Sequence, residues 1–328
     1  MGEHAYAHVP VMAGRITTLL LPALTGPTPG GRPPVLIDAT LGRAGHARAF
    51  LEAVPGLLLI AIDADAAAIE AGNALAGRYP GQVTVAHAFY DRIADIAADH
   101  GHRRVQAVLF DLGVSSPQLD DASRGFSYSR DAPLDMRMDT AGELTAARVV
   151  NEYPPADLAR VLAEYGEERF ARRIASAIAR ERAKEPLDST LRLTEIVREA
   201  IPAAARRTGG NPAKRTFQAL RIEVNDELGA LRRALPAALD LLAPGGRLAA
   251  LAYHSLEDRL VKRELAERTT DKTPPGVPLR AGDPLTPGSP GFRLLTRGAE
   301  RPDDQELAVN PRSASARLRA VERIRQAA

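Results

Sequence analysis

The stretch Val105-Gln106-Ala107-Val108-Leu109-Phe110-Asp111-Leu112-Gly113-Val114-Ser115-Ser116-Pro117 changes from apolar to polar at Asp111. Residues 105–110 have the nearly continuous apolar character of a strand that is buried on both faces of a sheet. An acid and a glycine-serine-proline turn follow this strand at its carboxyl end. Because open parallel sheets bind ligands at the carboxyl ends of their strands, the stretch predicts an α/β fold with Asp111 in its functional site.

Short apolar runs alternate with helical periodicity before this stretch. Strands are predicted at 35–38, 57–62, 83–85 and 105–110, and helices at 45–53, 66–76 and 92–99. This alternation is typical of βαβ units, which build a parallel sheet with helices on both faces. The fold class is therefore predicted to be α/β, with a doubly wound and mostly parallel sheet.

The pattern becomes helical between residues 145 and 220. Strand-like sequence returns at 247–254, after a predicted helix at 225–242 and a Pro-Gly-Gly turn at 244–246, and again at 292–296 and 315–321. We predict an α/β domain in two parts, residues 1–120 and 224–328, interrupted by an inserted helical domain at 121–223 with an active-site loop at 111–139. Residues 271–291 are rich in proline and glycine and predict a long surface loop.

Composition narrows the possible functions. The 328 residues include no cysteine, which excludes disulfides, thiolate catalysis and cysteine zinc sites, and no metal site is predicted. The longest uncharged apolar run, 16–24, is too short to span a bilayer, and no signal peptide is recognisable, so we expect a cytoplasmic protein without a membrane partner. The net charge is only +2. Basic residues nevertheless cluster at 206–222 and 310–325, as in a phosphate-binding surface or a solvated face.

The first two predicted strands indicate a nucleotide-containing cofactor. Asp38-Ala39-Thr40-Leu41-Gly42-Arg43-Ala44-Gly45-His46 follows the first strand, and its small residues allow a ligand to approach the backbone. Asp63 ends the second strand 21 residues after Gly42, near the spacing at which an acid binds ribose hydroxyls. The alternative is a tight βα turn with Asp65 as a helix cap, and the ribose could belong to NAD or to S-adenosylmethionine.

Several segments together resemble the bacterial 16S rRNA (cytosine-N4) methyltransferase family, known as the RsmH or MraW family. They span nearly the whole chain and include 8–12, 38–46, 110–121, 124–127, 131–139, Tyr165-Gly166-Glu167-Glu168-Arg169-Phe170-Ala171, 215–222, His254-Ser255-Leu256-Glu257-Asp258-Arg259 and 310–312. The resemblance implies a Rossmann-like class I methyltransferase domain with an inserted helical domain that recognises the substrate. It also implies methyl transfer from S-adenosylmethionine to the N4 amine of a cytidine in the decoding centre of 16S rRNA.

The same resemblance implies a set of cofactor-binding residues, which are Ala44, Gly45, His46, Asp63, Tyr90, Asp111 and Gln118. Three positions depart from the family pattern. Ala44 stands where the family has glycine, so we expect either a negative φ or local strain there. Tyr90 and Tyr253 stand where the family has phenylalanine, and the hydroxyl of Tyr90 needs a hydrogen-bond partner.

Methyl transfer to the cytosine amine requires acceptors for its hydrogens, because the nitrogen lone pair is delocalised into the ring. We predict that Asp111 orients the amine or accepts its proton, with assistance from Ser115 or Ser116, and that positioning supplies much of the rate. His254, at the end of the fifth strand, is predicted to contact the base or its phosphate. The alternative for His254 is a capping histidine that is hydrogen-bonded to Glu257 or Asp258.

RNA-binding residues are predicted in the loop 111–139 and in the first basic cluster. An exposed base needs an aromatic stacking partner, and Phe126 and Tyr128 are candidates beside Arg124, although the aromatics could instead anchor the loop. The basic residues predicted to face rRNA phosphates are Arg206, Arg207, Lys214, Arg215 and Arg221.

Three other functions fit parts of the pattern. A nicotinamide oxidoreductase shares the βαβ start and the acid, although the three-glycine fingerprint is missing. A non-catalytic ribosome-assembly factor would keep the basic segment but would not need Asp111 and the Ser-Ser-Pro turn. A DNA cytosine-N4 methyltransferase shares the chemistry, and only the full-length resemblance separates it from the RNA enzyme. The expected partner is 16S rRNA within the small ribosomal subunit, with free rRNA as substrate and a homodimer left open.

Overall fold

The structure, which is a computed structural model, describes residues 10–206, 211–271 and 291–324. The chain folds into two compact units, the first Met1–Gly113 with Ala230–Ala328 and the second Val114–Gly229. The sequence predicts the two boundaries of the inserted domain after residues 120 and 223, whereas the second unit begins after Gly113 and ends at Gly229. Several predicted features fall outside the described residues, namely His8, Val9, Arg207, Arg325 and nearly all of the loop 271–291.

The first unit is built on a seven-stranded sheet with the order β3-β2-β1-β4-β5-β7-β6. Its strands are β1 Val35–Asp38, β2 Leu58–Asp63, β3 Val83–His87, β4 Val105–Asp111, β5 Leu242–Ala252, β6 Phe292–Leu294 and β7 Arg317–Arg323. Strands β1 to β5 pair in parallel, and β7 pairs antiparallel with both β5 and β6. The predicted α/β class with a mostly parallel sheet is confirmed.

Helices connect the strands and make up most of the second unit. In chain order they are α1 Ala13–Thr25, α2 Gly45–Ala53, α3 Ala66–Arg78, α4 Ile93–Asp99, α5 Ser116–Asp120, α6 Ala146–Glu152, α7 Pro155–Gly166, α8 Ala171–Arg182, α9 Thr190–Ala200, α10 Ala203–Arg206, α11 Lys214–Asn225, α12 Glu227–Leu241, α13 Ser255–Thr269 and α14 Asp304–Val309. Helices α5 to α11 belong to the second unit. Across the described ranges, no helix has the length and apolar character needed to cross a membrane.

Helices cover both faces of the sheet, because alternate residues of each strand point to opposite faces. On one face, Ile37 and Phe110 share a buried cluster with residues of α4, α12 and α13. On the other face, Leu36 and Leu109 share a second buried cluster with residues of α1 and α2. This doubly wound arrangement places the carboxyl ends of β1, β2, β4 and β5 at one edge of the sheet, since these strands run parallel.

Two predicted elements differ from the structure in detail, for reasons that lie in the backbone. The predicted helix 225–242 is present as α12, but it begins at Glu227 because Asp226, with a left-handed φ of 46°, ends α11 and separates the two helices. The predicted Pro-Gly-Gly turn lies inside β5, which begins at Leu242. The pairing of β5 with β4 shifts register at this point, and Gly245 takes a φ of 78°.

The second unit is helical, and its described residues form no strand beyond an isolated bridge between Pro133 and Ser189. One buried cluster forms its core, with contributions from α6, α7, α8, α9 and α11. The amphipathic stripes predicted between residues 145 and 220 supply most of these core side chains. The unit therefore has its own hydrophobic core.

The motif 165–171 forms the turn from α7 to α8. Glu167 takes a left-handed φ of 48° and ends α7. The buried Glu168 then accepts a hydrogen bond at Oε1 from Phe170 N at 2.8 Å, which closes the turn. Arg215 of α11 donates to the carbonyl of Glu167 at 2.8 Å. Two of the segments on which the family resemblance rests are thus packed against each other.

The basic cluster at 310–325 is largely structural, which corrects its interpretation as a phosphate-binding surface. Arg319 Nε donates to Asp258 Oδ1 at 2.7 Å, and Arg317 lies 3.4 Å from the same carboxylate. The buried Arg323 donates to backbone carbonyls at the end of α12. Because these guanidinium groups are used within the first unit, they are poorly placed to bind RNA phosphates.

Substitution of Gly166 tests the packing of α7 against α11. A Cβ at this position would lie 2.7 Å from the carbonyl oxygen of Arg215, and this backbone atom cannot move without its helix. We expect Gly166→Ala to lower the free energy of unfolding by about 1–3 kcal/mol through overpacking. Urea-induced unfolding measures the change.

The matched control is Gly77→Ala in α3, where an added Cβ would meet no atom within 4 Å. The higher helix propensity of alanine should raise the free energy of unfolding by up to about 1 kcal/mol. Two variants of equal stability would contradict the packing described for α7 and α11.

Candidate active site

Four strands of the first unit end in reactive side chains at one edge of the sheet. Asp38 ends β1, Asp63 ends β2 and Asp111 ends β4, while Tyr253 follows β5. A hydrogen bond of 2.6 Å from Asp111 N to Thr40 Oγ1 connects the end of β4 to the loop after β1. The structure thus places the predicted residues Asp63 and Asp111 at the same edge of the sheet.

The loop from β1 to α2 has two left-handed residues, Gly42 with a φ of 52° and Ala44 with a φ of 59°. Ala44 is the residue before α2, and no side chain caps that helix. Gly45 is packed so closely that a Cβ would lie 2.5 Å from the Pro10 side chain. Of the two outcomes expected for Ala44, the structure shows strain, because a left-handed residue with a Cβ is disfavoured.

Asp63 links the end of β2 to this loop. Its Oδ2 accepts a hydrogen bond from Gly42 N at 2.9 Å, and its Oδ1 accepts one from Asp65 N at 2.9 Å. Burial raises the pKa of Asp63, and these backbone N–H groups partly oppose that shift. A carboxylate has about four acceptor directions, so each oxygen retains capacity for a hydroxyl donor.

Asp38, His46 and Asp111 form a charged cluster. Asp38 is 1% exposed, and burial raises its pKa to about 7, although the charge of His46 opposes the shift. His46 Nε2 lies 3.6 Å from Asp111 Oδ2 and, among the described residues, has no hydrogen-bond partner. Burial lowers the pKa of His46, but the carboxylates of Asp111 and Asp38 outweigh it and leave this pKa raised. The cluster can therefore gain or lose a proton near neutral pH.

Tyr253 holds Asp111 from the adjacent strand, with its hydroxyl donating to Asp111 Oδ1 at 2.8 Å. The register of β4 and β5 pairs Asp111 with Leu251, so Tyr253 lies two residues further along the same face. Burial and the charge of Asp111 raise the pKa of Tyr253 well above its usual value, which keeps the hydroxyl protonated as a donor. Sequence reasoning noted Tyr253 only as a departure from the family, and strand register was the signal that could have revealed this bond.

His254 is the N-terminal cap of α13. Its Nδ1 accepts a hydrogen bond from Glu257 N at 3.4 Å, and the Glu257 carboxylate accepts one from His254 N at 3.2 Å. This reciprocal capping box corresponds to the alternative that the sequence left open. The predicted contact of His254 with a base or phosphate stays a prediction.

Three predicted active-site residues, Ser115, Ser116 and Gln118, lie at the start of the second unit. Gln118 is buried, and its Oε1 accepts a hydrogen bond from Ser115 N at 2.9 Å. The side chain of Ser116 is outside the described part of the chain. The cofactor contact of Gln118 and the catalytic assistance of the serines therefore stay predictions.

The aromatic residues of the long loop pack into the core of the second unit. Phe126 is 6% exposed, and Tyr128 meets Phe217 edge to face with 5.8 Å between ring centroids. Arg124 donates to the two carbonyls of residues 137–138. The burial of the Phe126 ring favours the alternative of loop anchoring, and the predicted stacking role stays a prediction.

The predicted basic cluster at 206–222 is only partly available to RNA. Arg221 Nε donates to Glu227 Oε1 at 2.8 Å and its side chain is 14% exposed, so Arg221 is poorly placed for the predicted phosphate contact. Arg215 uses one nitrogen to bind the carbonyl of Glu167. Lys214 is exposed, whereas the side chain of Arg206 and all of Arg207 lie outside the described residues.

The strained position of Ala44 gives a stability prediction. Ala44→Gly removes the Cβ that disfavours the left-handed conformation, so we expect the free energy of unfolding to rise by about 1 kcal/mol. Gly42→Ala places a Cβ on the other left-handed residue and should lower it by a similar amount, although no atom lies within 4 Å of that Cβ. Chemical denaturation measures both, and destabilisation by Ala44→Gly would contradict the assigned strain.

Asp38 gives a prediction about pH. Its pKa in the folded chain is about 7 and its ordinary value is 3.8, so the folded state binds a proton more tightly than the unfolded state. The contribution of Asp38 to stability is therefore fully present below about pH 4 and is lost as pH rises to about 7, by up to about 4 kcal/mol.

We expect Asp38→Asn to be increasingly stabilised relative to the wild type as pH rises from 4 to 8. Urea unfolding at each pH measures the difference between the two proteins, which removes the contributions of other titrating groups. A difference that does not vary with pH would contradict the buried state assigned to Asp38.

Comparison with known proteins identifies the family to which this chain belongs. The model of the MraW methylase family matches residues 5–324. A ribosomal RNA small subunit methyltransferase H from Thermobifida fusca is 57% identical over 325 residues, which are 99% of this chain and 96% of that protein. Proteins of the same name from Salinispora arenicola and Mycobacterium tuberculosis are 56% and 54% identical, over 99% and 98% of this chain and 85% and 81% of theirs. The chain therefore belongs to the MraW methylase family.

Proposed function

We propose that this protein transfers a methyl group from S-adenosylmethionine to the exocyclic N4 amine of a cytidine in the decoding centre of 16S rRNA. Family membership and relatives named small subunit rRNA methyltransferases support methylation of small-subunit rRNA. The observation that carries the choice of an amine is the Asp111 carboxylate, which is held at the end of β4 by Tyr253 and is 26% exposed.

The binding groups of the first unit fit S-adenosylmethionine. Asp63 has acceptor capacity for a ribose diol, and the uncapped first turn of α2 offers backbone N–H groups for the carboxylate of the cofactor. The ring of Tyr90, which lies edge to face with Phe110 at 5.8 Å, is proposed to line the adenine side. When bound, the cofactor supplies a methyl group on a positively charged sulfur, and the carboxylates of this edge favour that charge.

The cytosine amine needs help to become a nucleophile, because its lone pair is delocalised into the ring. A carboxylate oxygen that accepts an amine hydrogen favours a more tetrahedral nitrogen with a more available lone pair. Asp111 is suited to this because the Tyr253 hydroxyl fixes Oδ1 and leaves Oδ2 on the side of His46. The arrangement thus positions the amine and places a proton acceptor beside it.

Composition supports an amine over a ring carbon as the methyl acceptor. Cytosine C5 is a poor nucleophile unless another group first adds to C6, and a thiolate is the protein nucleophile best suited to that addition. The chain has no cysteine to supply it. An exocyclic amine requires only acceptors, which the carboxylates at this edge provide.

The amine must also lose one proton as its bond to the methyl carbon forms. Asp111 is proposed to accept this proton at Oδ2. The adjoining His46 Nε2 lies 3.6 Å from Asp111 Oδ2, and the carboxylates of Asp111 and Asp38 outweigh burial and raise the pKa of His46. The cluster can hold the proton until it passes to solvent.

The deciding experiment is methyl transfer from labelled S-adenosylmethionine to small ribosomal subunits and to free 16S rRNA, both prepared without the modification. We expect label in N4-methylcytidine at one position of the decoding centre, located by nuclease mapping and mass spectrometry. Label in a ring carbon or in a purine, or no label in either substrate, would overturn the proposal.

Asp111→Asn tests the carboxylate directly. The amide keeps an acceptor for the Tyr253 hydroxyl but has no charge with which to take the amine proton. We expect kcat to fall by at least about 100-fold, with a much smaller change in cofactor affinity. Single-turnover methyl transfer and calorimetric cofactor binding measure the two effects, and near wild-type kcat would remove Asp111 from the mechanism.

Tyr253→Phe is the matched variant, since it keeps the ring against Gly113 and removes only the hydroxyl. Asp111 then retains its charge and loses one orienting hydrogen bond, so we expect kcat to fall by about tenfold. A loss larger than that of Asp111→Asn would contradict the positioning role given to Tyr253.

A further inference from the structure

The outward face of α8 is strongly basic. Ile174 and Ile178 point into the core of the second unit, which leaves Arg172, Arg173 and Arg180 on the opposite side of the helix. These three arginines line a groove of about 440 Å³ between α8 and α9, together with Ser176 of α8 and Glu199 of α9. We call this feature the α8–α9 groove.

Arg172 and Arg173 differ from most arginines of this unit in having no partner among the described residues. Arg137 pairs with Asp135, Arg182 donates to the carbonyl of Val150, and Arg221 pairs with Glu227. The exposed guanidinium groups of Arg172 and Arg173 make no ion pair or hydrogen bond with any residue that the structure describes. They therefore do not contribute to the fold through such contacts.

The remaining charges of the groove leave it positive. Arg180 lies 3.4 Å from Glu181, but that carboxylate is also bound by Lys184 at 3.0 Å and by Arg192 at 3.1 Å. One acid is thus shared among three cations. The groove presents more positive charge than its own acids neutralise, which suits a polyanion.

The helical geometry of α8 fixes the spacing of its arginines, and two contacts lie at the start of this helix. The buried Glu168 accepts a hydrogen bond from Phe170 N, and the Arg169 guanidinium stacks over the Phe170 ring at 4.7 Å from its centroid. Eight residues of helix separate Arg172 from Arg180, a distance of about 12 Å along the axis. The basic face is therefore long enough to contact more than one phosphate of a nucleic-acid strand.

We propose that the α8–α9 groove binds the sugar–phosphate backbone of the RNA substrate, with Arg172 and Arg173 on phosphate oxygens and Glu199 on a ribose 2′-hydroxyl. The planar fork of a guanidinium matches the oxygens of a phosphate. Glu199 has no side-chain partner among the described residues and can accept a hydrogen bond from a hydroxyl that DNA lacks. The inference rests on the proposed function for the identity of the RNA.

The double variant Arg172→Gln/Arg173→Gln tests the phosphate contacts. We measure its affinity for an unmodified 16S rRNA transcript and for unmodified small subunits at several salt concentrations. Affinity should fall by about 10- to 100-fold at 150 mM salt, and the slope of log affinity against log salt should shrink by about 1.5. Cofactor affinity should match the wild type, because the groove is proposed to contact only the RNA backbone.

The matched control is Arg148→Gln/Arg160→Gln, which removes two charges from exposed arginines of the same unit. These arginines are 48% and 45% exposed, and each pairs with a glutamate one helical turn away. We expect the RNA affinity of this control to stay within about threefold of the wild type. An equal loss of RNA affinity in both double variants would mean that the effect comes from net charge alone, and it would overturn the proposal that the α8–α9 groove binds RNA.

Glu199→Ala tests the choice of sugar. Single-stranded RNA and DNA oligonucleotides of the same sequence are compared, and the wild type should prefer RNA. We expect the variant to lower this preference by about tenfold, through weaker RNA binding, stronger DNA binding or both. An unchanged RNA-to-DNA ratio would overturn the role of Glu199.

The outcomes separate this inference from the proposed function. Unchanged RNA affinity in Arg172→Gln/Arg173→Gln, with rRNA methylation by the wild type, overturns the groove and leaves the function standing. A wild type that methylates no RNA overturns the function, while its RNA affinity still decides the groove. Weaker binding to subunits with unchanged binding to naked rRNA would assign the groove to a ribosomal protein and overturn the proposal.

Discussion

The parallel pairing of β4 between β1 and β5 is the constraint on which the candidate site depends. Because the three strands run in the same direction, Asp38, Asp111 and Tyr253 leave the sheet at one edge. Tyr253 and Asp111 are 142 residues apart in the chain and still share a hydrogen bond of 2.8 Å. The second unit is inserted between them without disturbing this contact, since β5 returns to the sheet directly beside β4.

This strand order gathers several carboxylates into a small and partly dry volume, which works against stability. Burial raises the pKa values of Asp38 and Asp63, and the backbone N–H groups of the β1–α2 loop only partly offset it. The left-handed Ala44 adds strain to the same loop. Negative charge and backbone strain that are concentrated at one place are typical of a binding site. A cofactor with a positively charged sulfur would offset the negative charge of the carboxylates.

The sequence predicted the features that depend on local patterns. Continuous apolar runs predicted the parallel strands, because these strands are buried on both faces of the sheet. Apolar stripes at helical spacing predicted the helical middle of the chain, because each helix buries one face. The bond from Tyr253 to Asp111 depends on the register between strands far apart in the chain, which no local pattern carries. The break at Asp226 involves a single left-handed residue and leaves the helical periodicity on either side unchanged.

Arginine density along the chain is a poor guide to which guanidinium groups are available to a phosphate, and the reason is physical. A guanidinium is most available to a phosphate where the fold brings no carboxylate or carbonyl within its reach, and sequence spacing does not reveal such acceptors. Arg221 and Arg319 lie in dense basic clusters, yet they are bound to Glu227 and Asp258. The outward face of α8 is less conspicuous in sequence, but it leaves two guanidinium groups without acceptors among the described residues. Unpartnered charge in the folded chain is therefore the better criterion for a guanidinium that is available to bind a phosphate.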